Sequence, residues 1–174
     1  MARNVEIKAR IDSIEAITAK VAELADRGPI EIPQDDTFFV CERGRMKLRA
    51  FSSTDGQLIF YQRPNQAGPK ESFFVISPTA SPDSLREALS LAYGQAGRVR
   101  KHRTLYLVGR TRVHLDRVEG LGHFLELEVV LSQGESPEPG VQEAHNLMAS
   151  LGIADAQLVE GAYVDLLAQP KVPV

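Results

Sequence analysis

Residues 123–131 read HFLELEVVL and place two glutamates, Glu126 and Glu128, in an apolar run. In a β-strand, alternate side chains point to opposite faces, so both carboxylates share the face that the leucines and valines leave free. A half-buried strand of an antiparallel sheet usually turns its polar face to water, and that interpretation remains open for this pair. Two carboxylates among so many apolar residues favour a face that holds ions.

The N-terminal segment repeats this alternation. Residues 4–10 read NVEIKAR, and one face of the predicted strand carries Asn4, Glu6, Lys8 and Arg10. The opposite face carries only apolar side chains, which suit a packed core. The charged row at the N-terminus therefore resembles the glutamate row near residue 126.

Four further predicted strands also collect charge on one face. The side chains that share a face are Lys47 with Arg49, Tyr61 with Arg63, Lys101 with Arg103, and Arg112 with His114 and Asp116. One such strand carries little information, but six of them predict that the charged faces line a common space.

Apolar periodicity and turn residues divide the chain into helices and strands. Helices are predicted over 13–26, 82–92 and 140–151, with a capping box at Asp12 and Glu15 and a helix end at Gly28 and Pro29. Strands are predicted over 3–11, 36–42, 45–53, 57–63, 71–77, 98–108, 111–118 and 123–132, with a less regular candidate over 157–166. Polar loops rich in glycine and proline are predicted over 63–72 and 132–140.

The predicted fold follows from where the apolar surfaces must go. Short turns between neighbouring strands favour hairpins, and the apolar stripes of the helices need the apolar face of the sheet. With helices outside, the charged faces point inward. We therefore predict an α+β fold: a closed or nearly closed eight-stranded antiparallel β-barrel with a polar lumen and helices packed outside, in one domain over residues 1–174.

Composition limits the function classes. The net charge of −3 gives no sign of a nucleic-acid-binding surface, and no apolar run is long enough for a transmembrane helix. The sequence shows no signal peptide, and Cys41, the single cysteine, excludes an internal disulfide. We expect a cytoplasmic protein without nucleic-acid or membrane partners, either a monomer or a homodimer.

Charge chemistry points to a ligand for the lumen. The basic side chains predicted to face it are Lys8, Arg10, Lys47, Arg49, Arg63, Lys101 and Arg103. Two unit charges about 4 Å apart repel by about 4 kcal/mol at an effective dielectric constant near 20. A polyanion, interleaved acids or water must relieve this repulsion. Glu6, Asp116, Glu126 and Glu128 offer oxygen ligands for Mg²⁺ or Mn²⁺, so a polyphosphate with a divalent metal explains both sets of residues.

Other motifs predict less. The four histidines lack the spacing of a local metal-binding motif, so we do not expect them to be metal ligands. The loop around Lys70 lacks the P-loop pattern, although Lys70 could still fold over a bound substrate.

With these residues in place, the chain resembles the CYTH superfamily, the triphosphate tunnel metalloenzymes, and most resembles its class IV adenylyl cyclase branch. The resemblance runs through NVEIKAR, GRMKLR, YQRP, VRKHR, HLDRVEGLGHFLELEVVL and GAYVDLL. The family signature EXEXK reads Asn4, Glu6 and Lys8 here, so its first glutamate is an asparagine.

The resemblance implies a tunnel that holds a triphosphate through lysine and arginine side chains. By position, the phosphate-binding residues would be Lys8, Lys47, Arg49, Arg63, Lys101 and Arg103, and Arg10 faces the same side. Glu6, Glu126 and Glu128 would bind the divalent metal, with Asp116 as a further ligand. Glu6 and Lys8 are the expected catalytic residues. Tyr163 and Asp165 lie in the family's C-terminal segment without an assigned role.

The same residues suit more than one activity, and the resemblance to the class IV branch favours the cyclase. In a cyclase, the ribose 3′-hydroxyl of ATP attacks the α-phosphorus and pyrophosphate leaves. In a triphosphatase, water attacks the terminal phosphorus of inorganic triphosphate, thiamine triphosphate or a nucleoside triphosphate. A third hypothesis is a module that binds triphosphorylated ligands without turnover. Asn4 leaves open whether a second metal binds.

Overall fold

The computed structural model describes residues 2–169 of the chain. The strands are β1 (Ala2–Ile11), β2 (Arg27–Phe39), β3 (Arg45–Ala50), β4 (Gly56–Gln62), β5 (Lys70–Thr79), β6 (Gln95–Val108), β7 (Thr111–Val118) and β8 (Gly122–Val130). The α-helices are α1 (Ile14–Leu24), α2 (Pro82–Tyr93), α3 (Glu138–Ser150) and α4 (Tyr163–Ala168). None of the helices in this part of the chain is long and apolar enough to cross a membrane.

The eight strands close in a ring, in the order β1-β5-β4-β3-β2-β6-β7-β8, with β8 pairing back onto β1. Every neighbouring pair is antiparallel. The predicted fold, an eight-stranded antiparallel barrel with helices outside, is confirmed. Register then decides which side chains meet, because residues paired across two strands project to the same side of the sheet.

The main core lies between the outer face of the sheet and the helices α1 and α3. It consists of β-strand side chains such as Val5, Ile7, Leu125 and Leu127, each at most 1% exposed, and the buried stripes of the two helices. Each fully buried aliphatic side chain contributes roughly 1.5–3 kcal/mol to the free energy of unfolding. This burial fixes the outward side chains of β1, β7 and β8 and leaves the charged side chains of these strands inside.

Helix α1 begins one residue later than its predicted cap. Ser13, not Asp12, is the N-cap, and its hydroxyl oxygen accepts a hydrogen bond from the backbone N–H of Ala16. The helix ends at Leu24, so the predicted end at Gly28 and Pro29 is wrong. Both residues belong to β2.

Strand β2 is nine residues longer at its N-terminal side than the predicted strand over 36–42. Pro29 and Pro33 argue against a strand in the sequence because proline has no N–H for a ladder. Residues 27–34 pair only with β6, and pairing with β3 begins at Asp35. The prolines are accommodated because one edge of this segment has no neighbouring strand within residues 2–169. The other predicted strands and helices, apart from the candidate over 157–166, agree within three residues at each end.

The candidate strand over 157–166 is wrong. Leu158 forms an isolated bridge with Ala9, and Gly161 then adopts a left-handed conformation with φ 86° that ends the extended segment. Helix α4 follows at Tyr163, and the carboxylate of Asp165 accepts a hydrogen bond from the N–H of Ala162.

Helix α4 packs against one end of the ring in a second core. Its side chains contact aromatic and apolar residues at the ends of the strands; this core comprises Phe38, Ile59, Tyr61, Val99, Val118, Phe124, Ala162, Tyr163 and Val164. A methyl group on Gly97 would lie 2.5 Å from Val164, so the absence of a side chain there permits the close approach of α4 to β6. This end of the ring is called the closed end.

Candidate functional site

The interior of the ring holds a cavity of about 330 Å³, called the tunnel below. Seven lysine and arginine side chains line it: Lys8, Lys47, Arg49, Arg63, Lys101, Arg103 and Arg112. Four carboxylates line it as well: Glu6, Asp36, Glu126 and Glu128. The tunnel therefore carries a surplus of positive charge inside a protein whose net charge is −3, which suits a polyanionic ligand.

A buried carboxylate, Asp36, holds three of these cations together. Its oxygen Oδ2 lies 3.2 Å from Lys47 Nζ, 2.8 Å from Arg49 Nη2 and 3.2 Å from Lys101 Nζ. Burial raises the pKa of Asp36, but the three positive charges outweigh burial and hold that pKa well below its usual range. Asp36 therefore remains ionised.

The pKa values of the two lysines in this group are lowered as well, which for an ammonium group disfavours the charged state. Burial, followed by the neighbouring charge of Arg49, lowers the pKa of Lys47 to about 8. Burial lowers the pKa of Lys101 to about 7, although Asp36 opposes the shift. Both ammonium groups lose much of their preference for the charged state. An anion placed beside them would favour the charged state again and would be held by the positive charge.

The remaining carboxylates are also paired with cations. Glu6 contacts Arg63, and Glu126 Oε2 lies 3.3 Å from Lys8 Nζ. Register explains the second contact, because Lys8 pairs with Glu126 across β1 and β8, and the same register places Glu6 opposite Glu128.

Glu126 and Glu128 belong to a group of potential metal ligands that includes His114. One ligand atom from each of the three residues can be chosen so that all lie within 4.8 Å of one another. Imidazole nitrogen with two carboxylate oxygens is a donor set that suits a divalent first-row metal. The sequence did not predict His114 as a ligand, because the spacing rule applies to one segment whereas these residues come from β7 and β8, whose register pairs His114 with Glu126.

The charges around this group keep its carboxylates ionised. Burial opposes ionisation of Glu126, but Lys8, the hydrogen bond with His114 and Arg103 together hold its pKa well below the usual range. Arg112 Nη2 lies 2.7 Å from Glu128 Oε2. The pKa of Glu128 is lowered too, with burial opposed first by His114 and then by Arg112.

Asp116, a predicted metal ligand, is not part of that group. Its two oxygens accept hydrogen bonds of 2.7 Å from the guanidinium of Arg103, and Oδ2 also accepts one of 2.6 Å from the hydroxyl of Tyr163. The side chain is fully buried. Asp116 is thus occupied in holding Arg103, and Arg103 in turn reaches Glu126 Oε1 at 3.3 Å.

Arg10, a predicted phosphate contact, does not line the tunnel. Its side chain is exposed, donates a hydrogen bond of 3.1 Å to the carbonyl of Leu121 and lies 4.7 Å above the ring of Phe124. The period-2 rule gave its face correctly, but Phe124 and Tyr163 fill the space between this residue and the tunnel.

Two polar atoms in the tunnel are buried without a hydrogen bond among the described residues: Asn4 Oδ1 and Gln34 Oε1. Asn4 is 3% exposed and lies on β1 beside Glu6.

Lys70, predicted as a residue that folds over substrate, is 2% exposed and donates a hydrogen bond of 2.6 Å to the carbonyl of Gln66. Burial, then Arg63 and Lys8, lower the pKa of Lys70 to about 8.

The two ends of the tunnel differ. At the closed end Tyr163 lies under Lys8, whose Nζ is 3.9 Å from the ring centroid, and Asp165 binds Arg45 at 2.7 Å. Strand β6 runs from Gly97 beside α4 towards Val108, so its residue Leu105 lies farther from α4 than Lys101 does. Partly exposed apolar side chains surround that other end, called the mouth: Ile32, Phe51, Ile76 and Leu105.

Comparisons of the sequence and of the fold with known proteins agree with the ring of strands and its charged interior. The CYTH domain family matches residues 2–163. The chain is 28% identical to adenylate cyclase CyaB of Aeromonas hydrophila, over 95% of this chain and 88% of that protein. Among solved structures, the PH1012 protein of Pyrococcus horikoshii superposes with a TM-score of 0.83 at 23% identity, covering 94% of this chain and 99% of the other.

A more distantly similar structure belongs to a protein with a different activity. An adenylyl cyclase candidate of Hippeastrum, described as having a dominant triphosphatase activity, superposes with a TM-score of 0.65 at 15% identity over 94% of each chain. At this identity the likeness concerns the fold alone. The family match over nearly the whole chain, with the closed ring and its charged interior, identifies the group: this chain belongs to the CYTH domain family.

Proposed function

We propose that the protein is a divalent-metal-dependent enzyme that binds a triphosphate compound in its tunnel and converts ATP to cyclic AMP and pyrophosphate. One observation carries the proposal. Seven basic side chains and a potential metal-binding group line the same cavity, and helix α4 packs against one end of it. Phosphoryl-transfer enzymes combine these two elements, because their catalysis depends largely on positioning and on neutralising charge.

The phosphate chain would be held by the basic side chains that line the tunnel. The proposed contacts are Lys8, Lys47, Arg49, Arg63, Lys101 and Arg103. Arginine guanidinium groups bind phosphate oxygens in pairs, and lysine ammonium groups act as point charges. Asp116 and Tyr163 would serve as positioning residues, since they fix the guanidinium of Arg103.

Mg²⁺ or Mn²⁺ would be held by Glu126, Glu128 and His114, with Glu6 beside them on β1. The donor set fits such an ion, because carboxylates that stay ionised offer hard oxygen ligands. When bound, the ion supplies charge neutralisation at the phosphate oxygens. The neutral amide of Asn4 leaves a second ion with one carboxylate fewer than the family signature provides.

In the proposed reaction, the ribose 3′-hydroxyl attacks the α-phosphorus and gives its proton to a tunnel carboxylate such as Glu6 or to water, the bond from the α-phosphorus to the bridging oxygen breaks, and pyrophosphate leaves. Lys8, Lys47 and Lys101 lie towards the closed end, where they would stabilise the growing negative charge of the leaving pyrophosphate. The similarity to CyaB supports the cyclase, and the apolar mouth supports a substrate with an organic group. The alternative is a triphosphatase, which would use the same cations at the terminal phosphate.

Product analysis tests the proposal. The protein is incubated with Mg²⁺ or Mn²⁺ and ATP, thiamine triphosphate or inorganic triphosphate, and products are followed by phosphorus NMR and ion-exchange chromatography. Cyclic AMP with pyrophosphate is the expected result. Release of inorganic phosphate without cyclic AMP assigns the triphosphatase activity instead. Tight binding without any product makes the protein a binding module and overturns the enzyme proposal.

A further inference from the structure

The carboxamide of Gln34 is buried in the tunnel wall without a partner for its oxygen. Gln34 is 6% exposed, and no hydrogen bond to its Oε1 is present within residues 2–169. A buried acceptor that lacks a donor carries a free-energy penalty for the folded state. Gln34 lines the tunnel, so a ligand there that supplies an N–H or O–H group can remove this penalty once the carboxamide turns its oxygen towards it.

The required partner is not a phosphate group. Phosphate oxygens are acceptors when ionised, so they cannot satisfy the carbonyl oxygen of an amide. Gln34 lies where the charged part of the tunnel meets the apolar mouth. Lys101 pairs with it across β6, and Asp36 follows on the same face towards the closed end. Ile32 precedes it towards the mouth, and Phe51 follows the β3 residue that pairs with Asp35.

The chemistry of the mouth favours a flat heterocycle. Ile32, Phe51, Ile76 and Leu105 are apolar but partly exposed, and Ile76 is 43% exposed. Such a ring of side chains gains stability when a base covers it. A carboxamide offers a donor and an acceptor side by side, and this pair matches the amino group and adjacent ring nitrogen of adenine.

We propose that Gln34 is a specificity-determining residue that binds the exocyclic amino group of a purine base, with the base resting on the apolar mouth. This inference rests on the proposed function, because it needs the phosphate chain in the tunnel. It predicts that the protein discriminates ATP from inorganic triphosphate through contacts of Gln34 and the apolar mouth with the base, and not through the basic residues.

A cycle of protein and ligand changes tests the contact. Binding is measured by calorimetry with Mg²⁺ for the α,β-methylene analogues of ATP and of purine riboside triphosphate, which lacks the amino group. These analogues cannot release pyrophosphate. The wild type should bind the ATP analogue roughly five- to a hundredfold more tightly, as expected for one paired amide contact. Gln34→Leu should bind both analogues equally, because the two changes remove the same interaction.

Inorganic triphosphate separates the outcomes. Wild type and Gln34→Leu should bind it with equal affinity, which also shows that the variant folds. Gln142→Leu, on the exposed face of α3, serves as the matched control and should behave as wild type with every ligand. If Gln34→Leu weakens both nucleotide analogues by the same factor, the amide contacts the sugar and the base assignment is overturned. If the wild type does not bind inorganic triphosphate, the proposed function itself fails.

Discussion

The ammonium group of Lys101 lies 3.2 Å from Oδ2 of Asp36, and both side chains are almost fully buried in the tunnel wall. The ion pair does not keep the lysine fully charged, since burial lowers the pKa of Lys101 to about 7. The amine of Lys101 is thus only partly protonated at neutral pH, and we expect binding of an anion beside it to raise its protonated fraction.

The first prediction concerns pH and stability of the ligand-free protein. Lys101 has a folded pKa of about 7, Lys47 one of about 8, and both have an ordinary value of 10.5. Between these limits the unfolded chain binds more protons than the folded one, so the free energy of unfolding should rise as pH increases from 7 to 9. Urea titrations at several pH values measure the slope. Lys101→Met should reduce it, and an unchanged slope contradicts the assignment.

The second prediction concerns Asp36. Asp36→Asn removes the carboxylate that holds three buried cations, so the free energy of unfolding should fall by about 3 kcal/mol or more. Inorganic triphosphate should restore most of the loss because its oxygens replace the missing charge. Asp83→Asn, at an exposed position on α2, is the control and should change stability little. Equal loss in both variants would show that Asp36 has no special role.

The third prediction concerns the metal ligands. Glu126→Gln and Glu128→Gln keep the side-chain size but remove one negative charge, so metal-dependent turnover should fall by about two orders of magnitude or more while the fold stays intact. Direct Mn²⁺ binding, measured by electron paramagnetic resonance, should weaken in parallel. Glu23→Gln on the exposed side of α1 is the control. Full activity in both variants would return the glutamate pair to a merely structural role.

The fourth prediction concerns Asn4, whose Oδ1 is buried without a hydrogen bond in the described part of the chain. Asn4→Glu places a carboxylate beside Glu6, so the variant should have a lower melting temperature in chelator and regain stability with Mn²⁺. The metal concentration for half-maximal activity should also fall. Superimposable metal titrations of wild type and variant would place Asn4 outside the metal site.

The fifth prediction concerns the complete ligand. Triphosphate with a divalent metal, at about 100 times its dissociation constant, should add roughly 2.7 kcal/mol to the free energy of unfolding. For a domain of this size, the melting temperature should rise by several degrees, which differential scanning fluorimetry detects. The absence of a shift with any triphosphate, with or without metal, would contradict the tunnel proposal.

Alternation along single strands predicted which side chains face inward, and that was sufficient for the fold and for the interior position of residues such as Lys8 and Glu126. Alternation does not say at which point along a strand the tunnel ends, which is why Arg10, next to the last residue of β1, falls outside the tunnel. It also does not mark Asp36, because two adjacent aspartates place one carboxylate on each face. His114 joins the metal-binding group through the register of β7 and β8, which sequence spacing does not reveal.

Helix α4 packs against one end of the ring, where Tyr163 lines the tunnel, so we expect the tunnel to open only at the mouth. A substrate that enters phosphate-first through the mouth must leave by the same route. In the proposed reaction, pyrophosphate lies deeper than the cyclic nucleotide, so the last part to enter is the first to depart. Pyrophosphate that stays bound occupies the site of the ATP phosphates. The enzyme should therefore be inhibited by pyrophosphate in competition with its substrate.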